Sequence, residues 1–398
     1  MRALLLENVH PLAPDILRAA GFDVETRAPA LDPDELITAL QGVDLLGIRS
    51  KTEVTARVIE ASPDLMAIGA FCIGTNQIDL DTAARHGIAV FNAPYSNTRS
   101  VVELAVANIL AMARRLTDRN QALHAGVWDK SASGSHEIRG RTLGIVGYGN
   151  IGSQLSVVAE MLGMQVFFYD TDDKLALGNA RRCSSLEELL DSVETVTLHV
   201  DGRAGNAGIF GAEQVARMRP RSLFLNLSRG FVVDYDALRE AIVSGHVAGA
   251  AVDVFPSEPK RRGDAFESPL RGLPNVILTP HVGGSTEEAQ EDIGRFVGTK
   301  LRDYVLHGTT SLSVNQPMLA PGHGTHGQRI AHIHQNTPGV LAQLNQVLAR
   351  HDINVESQML GTRGQVGYAI TDTVSELVPE VLADLRAVPE TIRLRVIT

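Results

Sequence analysis

Cysteine is almost missing from this chain: 398 residues carry only Cys72 and Cys183. Two isolated thiols offer no metal-ligand spacing and make a disulfide framework implausible, so no metal is expected and a reducing, cytoplasmic setting fits. Aromatic residues are scarce at 5%, with Trp128 the only tryptophan, although the 44% hydrophobic content is ordinary for a soluble protein. Positive charge is in deficit, 36 Lys and Arg against 46 Asp and Glu, for a formal net charge of -10. The overall field therefore does not draw the chain to nucleic acid or to an anionic membrane. An anionic substrate has to be caught by a local basic cluster. Long apolar runs are missing too. Residues 3–6 are broken at once by Glu7 and read as a first strand, not a signal peptide. The longest helical apolar stretch, 101–113, contains Glu103 and Asn108 and reads as a buried helix rather than a membrane span.

The length suffices for two or three domains. Its most informative stretch is 142–152, TLGIVGYGNIG, an apolar strand running into Gly147-x-Gly149-x-x-Gly152. The first glycine permits a tight turn, the second lets backbone approach a pyrophosphate, and the third lets the following helix pack close to the strand. That helix, 151–162, points its positive end at the phosphates. A second strand, 165–169, ends at Asp170, which is placed to accept hydrogen bonds from the adenosine ribose hydroxyls. With Asp172 and Asp173 behind it, a 2′-phosphate would meet negative charge, which favours NAD over NADP.

Before residue 98, strand candidates at 3–6, 22–26, 45–48, 67–70 and 89–92 alternate with helices, as in a small parallel α/β domain. A long helix over 100–116 leads away. Between 141 and 284 six strand candidates follow: 142–147, 165–169, 195–200, 222–227, 247–252 and 276–279. Six strands in two halves predict a doubly wound sheet, whose ligands sit beyond the carboxyl ends of the strands. Asp170, Ser228, Arg229, Asp253 and His281 lie at or just past such ends, so they are expected to converge. A second long helix, 286–306, precedes a stretch over 309–328 that is rich in Gly, Pro, Ser and Thr and reads as a hinge or linker. The remainder, 329–398, alternates strand, helix, two strands, helix and strand, a ferredoxin-like unit.

Removing hydride from an alcohol carbon needs a base for the hydroxyl proton, and an imidazole titrates in the useful range. His281 follows Pro280 at a strand end and precedes the flexible pair Gly283-Gly284. Glu258 is its natural carboxylate partner. Arg229 offers a planar fork that matches a carboxylate. In the first domain Arg49-Ser50-Lys51 places two cations around a hydroxyl at a strand end, a plausible phosphate site, with Asn97 at another strand–helix turn. Lys130, beside Trp128, is a further phosphate-ligand candidate that could reach a neighbouring subunit. In the last unit, residues 334–339 lead into a helix. One reading is a helix cap with Pro338 at the first helical position. The other is a small-molecule site in which the helix N-terminus takes a carboxylate and Asn336 orders the ligand.

The chain resembles the D-2-hydroxyacid dehydrogenase family, in its three-domain, phosphoglycerate-oxidising form with a terminal ACT domain. The resemblance runs over nearly the whole length and is specific in GIRSKT (47–52), FCIGTNQ (71–77), FNAPYSNTR (91–99), GYGNIG (147–152), NLSRG (226–230), DVFPSEP (253–259), TPHVGGS (279–285) and HIHQNTPGV (332–340). It implies an α/β architecture: a Rossmann-type nucleotide domain over 98–284, a flavodoxin-like substrate domain over 1–97 returning at 285–325, and a ferredoxin-like ACT domain over 326–398. It implies NAD-dependent oxidation of 3-phosphoglycerate to 3-phosphohydroxypyruvate, the first step of serine synthesis. Catalytic roles carry over to His281, Glu258 and Arg229. NAD contacts carry over to Asn150, Ile151, Asp170, Leu227, Ser228, Arg229, Asp253, His281, Val282, Gly283 and Gly284, and phosphate contacts to Arg49 and Lys51. The resemblance also implies a homotetramer with serine as effector near His334, Asn336 and Asn354 at a subunit interface. One departure is clear: the family usually has a proline after the strand ending His199-Val200, whereas this chain has Asp201. Two alternatives stand beside this reading: another D-2-hydroxyacid dehydrogenase acting on an unphosphorylated acid (a 2-oxoglutarate or hydroxypyruvate reductase), and a non-catalytic NAD-sensing protein of the corepressor kind.

Overall fold

The computed structural model describes residues 1–259, 263–322 and 327–397. The linker expected over 309–328 falls partly outside them. The chain divides into two compact units, Met1–Ser96 with Gln290–Thr398, and Asn97–Ala289. Among the described residues there are three sheets.

The first sheet belongs to the discontinuous unit. Its strands are β1 (Arg2–Leu5), β2 (Asp23–Thr26), β3 (Leu45–Ile48), β4 (Ala67–Ala70) and β5 (Ala89–Phe91), all parallel in the order β2-β1-β3-β4-β5. Every position of β3, β4 and β5 is buried, as expected of parallel strands covered on both faces. The helix Glu287–His307 packs so closely that a Cβ on Gly69 of β4 would lie 2.7 Å from Val297 Cγ1.

The second sheet lies wholly in the other unit. It comprises β6 (Thr142–Val146), β7 (Gln165–Tyr169), β8 (Arg181–Arg182), β9 (Thr195–Leu198), β10 (Ser222–Asn226), β11 (Val247–Val252) and β12 (Val276–Leu278). Its order is β12-β11-β10-β9-β6-β7-β8, all parallel, reversing at the β6–β9 pair. That is the doubly wound arrangement, and the crevice at the reversal is where such sheets take a dinucleotide. The six expected strands are present. The two-residue β8 is an addition, and its Arg-Arg sequence carries no apolar signal.

The third sheet, back in the discontinuous unit, has β13 (Arg329–Gln335), β14 (Val355–Arg363), β15 (Val366–Thr373) and β16 (Thr391–Ile397), antiparallel in the order β14-β15-β13-β16. With helices Val340–Arg350 and Pro379–Arg386 it is the ferredoxin-like unit expected. Residues 330, 344, 348, 369 and 381 form the core beneath the helices. On the other face Arg329 and Asp372 form a buried ion pair, 2.6 and 2.9 Å, while Arg329 also donates to the carbonyls of His307 and Gly322.

Two expectations need correction. The described part of the supposed linker is pinned. Asn315 Oδ1 accepts from Val90 N at 2.8 Å, Val314 N donates to Val90 O, and Thr310, Asn315 and Gln316 are buried. Residues 313–315 thus cover the open edge of β5, which would otherwise expose a row of unpaired backbone groups. Their polarity serves that edge, not mobility. Secondly, Pro338 is not the first helical residue. The helix starts at Val340, behind Gly339 with φ 93°.

Candidate active site

The register of the second sheet places the site. Val146 pairs with Tyr169 and with Leu198, Leu198 with Asn226, Asn226 with Val252, and Val252 with Leu278. These six residues form one row across the sheet. The residues after them, Gly147, Asp170, His199, Leu227, Asp253 and Thr279, therefore share one edge although the chain between them is long.

Gly147 has φ 93°, and a Cβ there would lie 2.7 Å from His199 O. A Cβ on Gly152 would lie 2.3 Å from Gly147 O, whereas one on Gly149 would meet nothing within 4 Å. Two glycines are thus demanded by the chain's own packing. The third stands in open space at the start of the helix Asn150–Met161, where bare backbone leaves room for a pyrophosphate. Asn150 and Ile151 form the first turn of that helix. Asp170 accepts from Tyr148 N at 2.7 Å and from Asp172 N at 2.9 Å, so the acid expected at the ribose braces the glycine turn. Asp172 and Asp173 are paired with Lys174 (3.1 Å) and Arg182 (2.6 Å). Their charge is offset by those partners, whereas Asp170 has no ion-pair partner among the described residues. The groups present fit a dinucleotide.

Past β10, Asn226 ties a knot that reasoning from sequence did not single out. Its Oδ1 accepts from Ser228 N and Oγ, and its Nδ2 donates to Arg229 O and Tyr235 Oη. Leu227 and Ser228 are buried. The Arg229 side chain is left with Nη1 on Ser228 O at 2.7 Å, its only side-chain hydrogen bond among the described residues. Gly230 must be glycine, because a Cβ would lie 2.0 Å from the Phe255 carbonyl carbon. The loop after β9 runs alongside: a Cβ on Gly202 would approach Arg229 Nε to 3.2 Å. Arg203 grips Asp201 through Nε and Nη2, and Asn206 Nδ2 joins the same carboxylate, so the departure at Asp201 builds a closed polar turn.

His281 Nδ1 lies 2.9 Å from Glu258 Oε2, and Glu258 Oε1 accepts from Phe255 N at 3.0 Å. The Glu258 bond raises the pKa of His281 above the ordinary imidazole value, against the opposing effect of burial. Burial pushes Glu258 up, but the bonds from His281 and Phe255 outweigh it and hold the carboxyl below its usual range. His281 has φ 53°, uncommon for a residue with a side chain and a mark of local strain. The restraint comes from Asp253, which is buried. Its Oδ1 accepts from Thr279 Oγ1 (2.5 Å) and Val282 N (2.9 Å), and its Oδ2 accepts from Gly283 N (2.8 Å). Gly283 and Gly284 are therefore not a flexible pair. A Cβ on Gly283 would lie 3.0 Å from Asp253 Oδ2, and one on Gly284 would lie 2.6 Å from Asn97 Nδ2. Close approach is what these glycines supply. Asn97 Oδ1 is buried with no hydrogen-bond partner among the described residues. Lys130 is exposed, with no hydrogen bond or ion pair among them.

In the discontinuous unit, Arg49 is half-buried and Ser50 and Lys51 are exposed, on the loop after β3. The effector candidates do not converge within one chain. His334 and Asn336 are at the Val366 end of β15, while Asn354 is at its Thr373 end. Seven residues of strand span roughly 23 Å at about 3.3 Å each. Asn336 Nδ2 donates to Gly364 O, and the Nε2 of the buried His334 has no hydrogen-bond partner among the described residues. Among the described residues, no helix is long and apolar enough to cross a membrane and no group of three or more metal-ligating side chains occurs.

Residues 106–283 match the family model of the D-isomer specific 2-hydroxyacid dehydrogenase, NAD binding domain, and residues 330–393 match an AHAS small subunit-like ACT domain. D-3-phosphoglycerate dehydrogenase of Haemophilus influenzae is 48% identical over 400 residues, covering 100% of this chain and 97% of the relative. The Escherichia coli K12 enzyme of the same name is 47% identical over 401 residues, with the same coverage. Among solved structures, an NAD-dependent formate dehydrogenase from Staphylococcus aureus in complex with NAD superposes with TM-score 0.68 at 26% identity, over 81% of this chain and 100% of that one. With a dinucleotide turn, an imidazole–carboxylate pair at the same sheet edge and near-half identity along its full length, the chain belongs to the D-3-phosphoglycerate dehydrogenase family of NAD-dependent oxidoreductases.

Proposed function

We propose that the protein oxidises 3-phospho-D-glycerate to 3-phosphohydroxypyruvate, and reduces it in reverse, as the first step of L-serine synthesis. The observation that carries this reading is the 2.9 Å His281–Glu258 pair on the same strand-end edge as Arg229 and the glycine turn. Bound NAD supplies the hydride acceptor. His281, with Nδ1 engaged by Glu258, takes the C2 hydroxyl proton on its other nitrogen, and Glu258 stabilises the imidazolium that results. Arg229 pairs its free Nε and Nη2 edge with the substrate carboxylate, a two-bond match that orients C2. Arg49 and Lys51, with Ser50 between them, take the 3-phosphate, and Asn97 and Lys130 complete the substrate contacts. Residues 147–152, Asp170, 227–229, Asp253 and 281–284 line the cofactor. In this reading 1–97 and 285–325 form the substrate domain, 98–284 the NAD domain and 326–398 the ACT regulatory domain.

The ACT match supports a small-molecule effector, which we assign as L-serine. Because His334 and Asn336 stand at the opposite end of the sheet from Asn354, one effector that uses all three has to bind between two copies, so the assembly is a homo-oligomer and, in this reading, a cytoplasmic tetramer. The test is an NADH absorbance assay with phosphohydroxypyruvate and with hydroxypyruvate, each with and without serine. The reading expects strong preference for the phosphorylated acid and inhibition by serine. Equal use of both acids would shift the assignment to an unphosphorylated 2-hydroxyacid. NADH binding without turnover on any 2-oxo acid would make the protein a sensor. Turnover untouched by serine would reduce the ACT unit to an assembly module.

A further inference from the structure

Glu7 stands two residues past the end of β1, is only 8% exposed, and has φ 63°, with Asn8 next at 52°. Two successive left-handed residues that are not glycine are costly backbone. The carboxylate of Glu7 meets three main-chain donors on the loop after β3. Its Oε1 accepts from Arg49 N at 3.2 Å and Thr52 N at 2.9 Å, and its Oε2 accepts from Lys51 N at 3.0 Å. Gln77 Nε2 ties the loop from another side, donating to Arg49 O at 2.7 Å. Converging backbone N–H groups form a concavity that binds anions. Here the chain's own carboxylate occupies it.

We propose that Glu7 is a positioning residue for the substrate phosphate. By filling the amide concavity it denies those donors to the phosphate, so recognition passes to the side chains of Arg49 and Lys51. It also holds their backbone in the one conformation that presents both. This rests on the reading of Arg49 and Lys51 as phosphate ligands. The charge has a further effect: a carboxylate behind the loop disfavours any anion that sinks toward the amides and leaves the outer rim of cations as the place for a phosphate.

The test compares full-length Glu7→Ala, Glu7→Gln and Arg49→Ala with the unsubstituted chain, using phosphohydroxypyruvate and hydroxypyruvate as substrates. Glu7→Ala is expected to raise KM for the phosphorylated acid by about tenfold or more, the size expected for losing charge-assisted hydrogen bonds. Its kcat and NADH affinity should stay near the original values, and KM for hydroxypyruvate should change much less. Glu7→Gln keeps the shape and one acceptor oxygen, so it should fall between and serve if the alanine variant fails to fold. Hydrogen exchange at the amides of Arg49, Lys51 and Thr52 should quicken in both. Equal loss on the two substrates, or unchanged exchange at those amides, overturns the positioning role. If Arg49→Ala shows no preference for harming the phosphorylated acid, the phosphate assignment itself falls, while the exchange measurement still reports whether Glu7 holds the loop.

Discussion

At the scale of single residues, the proposed chemistry rests on an imidazole, His281, whose pKa is raised by one carboxylate, Glu258. His281→Ala is expected to lower turnover by about 10²–10⁴ while NADH titration stays near normal. Unchanged turnover would remove His281 as the base. Glu258→Gln gives a finer test. Since Glu258 holds the pKa of His281 up, oxidation needs the neutral imidazole and rises with pH through that raised value. Removing the charge lets the pKa fall, so the acidic limb of kcat/KM for oxidation should move to lower pH in Glu258→Gln, with a lower plateau. A limb that stays put or moves to higher pH would show that the pair does not set the profile. His281 drew attention because an imidazole follows a proline at a strand end, and the structure pairs it with Glu258 as expected. Asp253 was only half legible. Its place past a strand end drew attention as a cofactor contact, but its oxygens take Thr279, Val282 and Gly283. Which way a side chain turns there depends on the loop that folds back over it, and local pattern does not carry that. Glu7 was noticed only as the end of an apolar run, for the same reason.

At the scale of elements, apolar runs locate the strands and glycines locate the cofactor turn, because both follow from local constraints. The glycines differ in kind, and substitution separates them. Gly152→Ala places a Cβ 2.3 Å from Gly147 O, so the strand–turn–helix must distort. Thermal unfolding should drop and NADH binding should weaken together. Gly149→Ala meets nothing within 4 Å in the protein itself, so its melting temperature should match the original while NADH binding weakens by about tenfold or more, as backbone approach to the pyrophosphate is lost. Normal NADH affinity in Gly149→Ala would mean that the dinucleotide runs elsewhere. What local constraint could not show was β8, whose arginines pair by register with Phe167 and Phe168, and the pinning of 313–315 to β5. Both are edge pairings, decided by what lies alongside.

At the scale of the whole molecule, the terminal unit carries a buried ion pair: Arg329 and Asp372 have side chains only 4% and 8% exposed. Breaking such a pair by removing one partner leaves an uncompensated charge and costs about 3–5 kcal/mol. Arg329→Ala also strips hydrogen bonds from His307 O and Gly322 O. Urea unfolding of this variant, followed by circular dichroism, should show a loss of that size. A loss under about 1 kcal/mol would mean that the pair is hydrated in solution and the burial is not sustained. Composition alone foretold nothing of this pair, since arginines and aspartates far apart in sequence are ordinarily solvated.

From the amino-acid order by itself came three parallel or ferredoxin-like sheets, a dinucleotide turn, and the carboxylate, imidazole and guanidinium proposed for the chemistry, because period, glycine geometry and side-chain chemistry act over a few residues. The tertiary structure alone decided which donors each carboxylate takes. Glu7 and Asp253 turn inward to hold loops, Glu258 turns to an imidazole, and Arg203 closes on Asp201. Those choices follow from hydrogen-bond donors brought together across the sheets, and a backbone amide has no signature in sequence until the fold aims it.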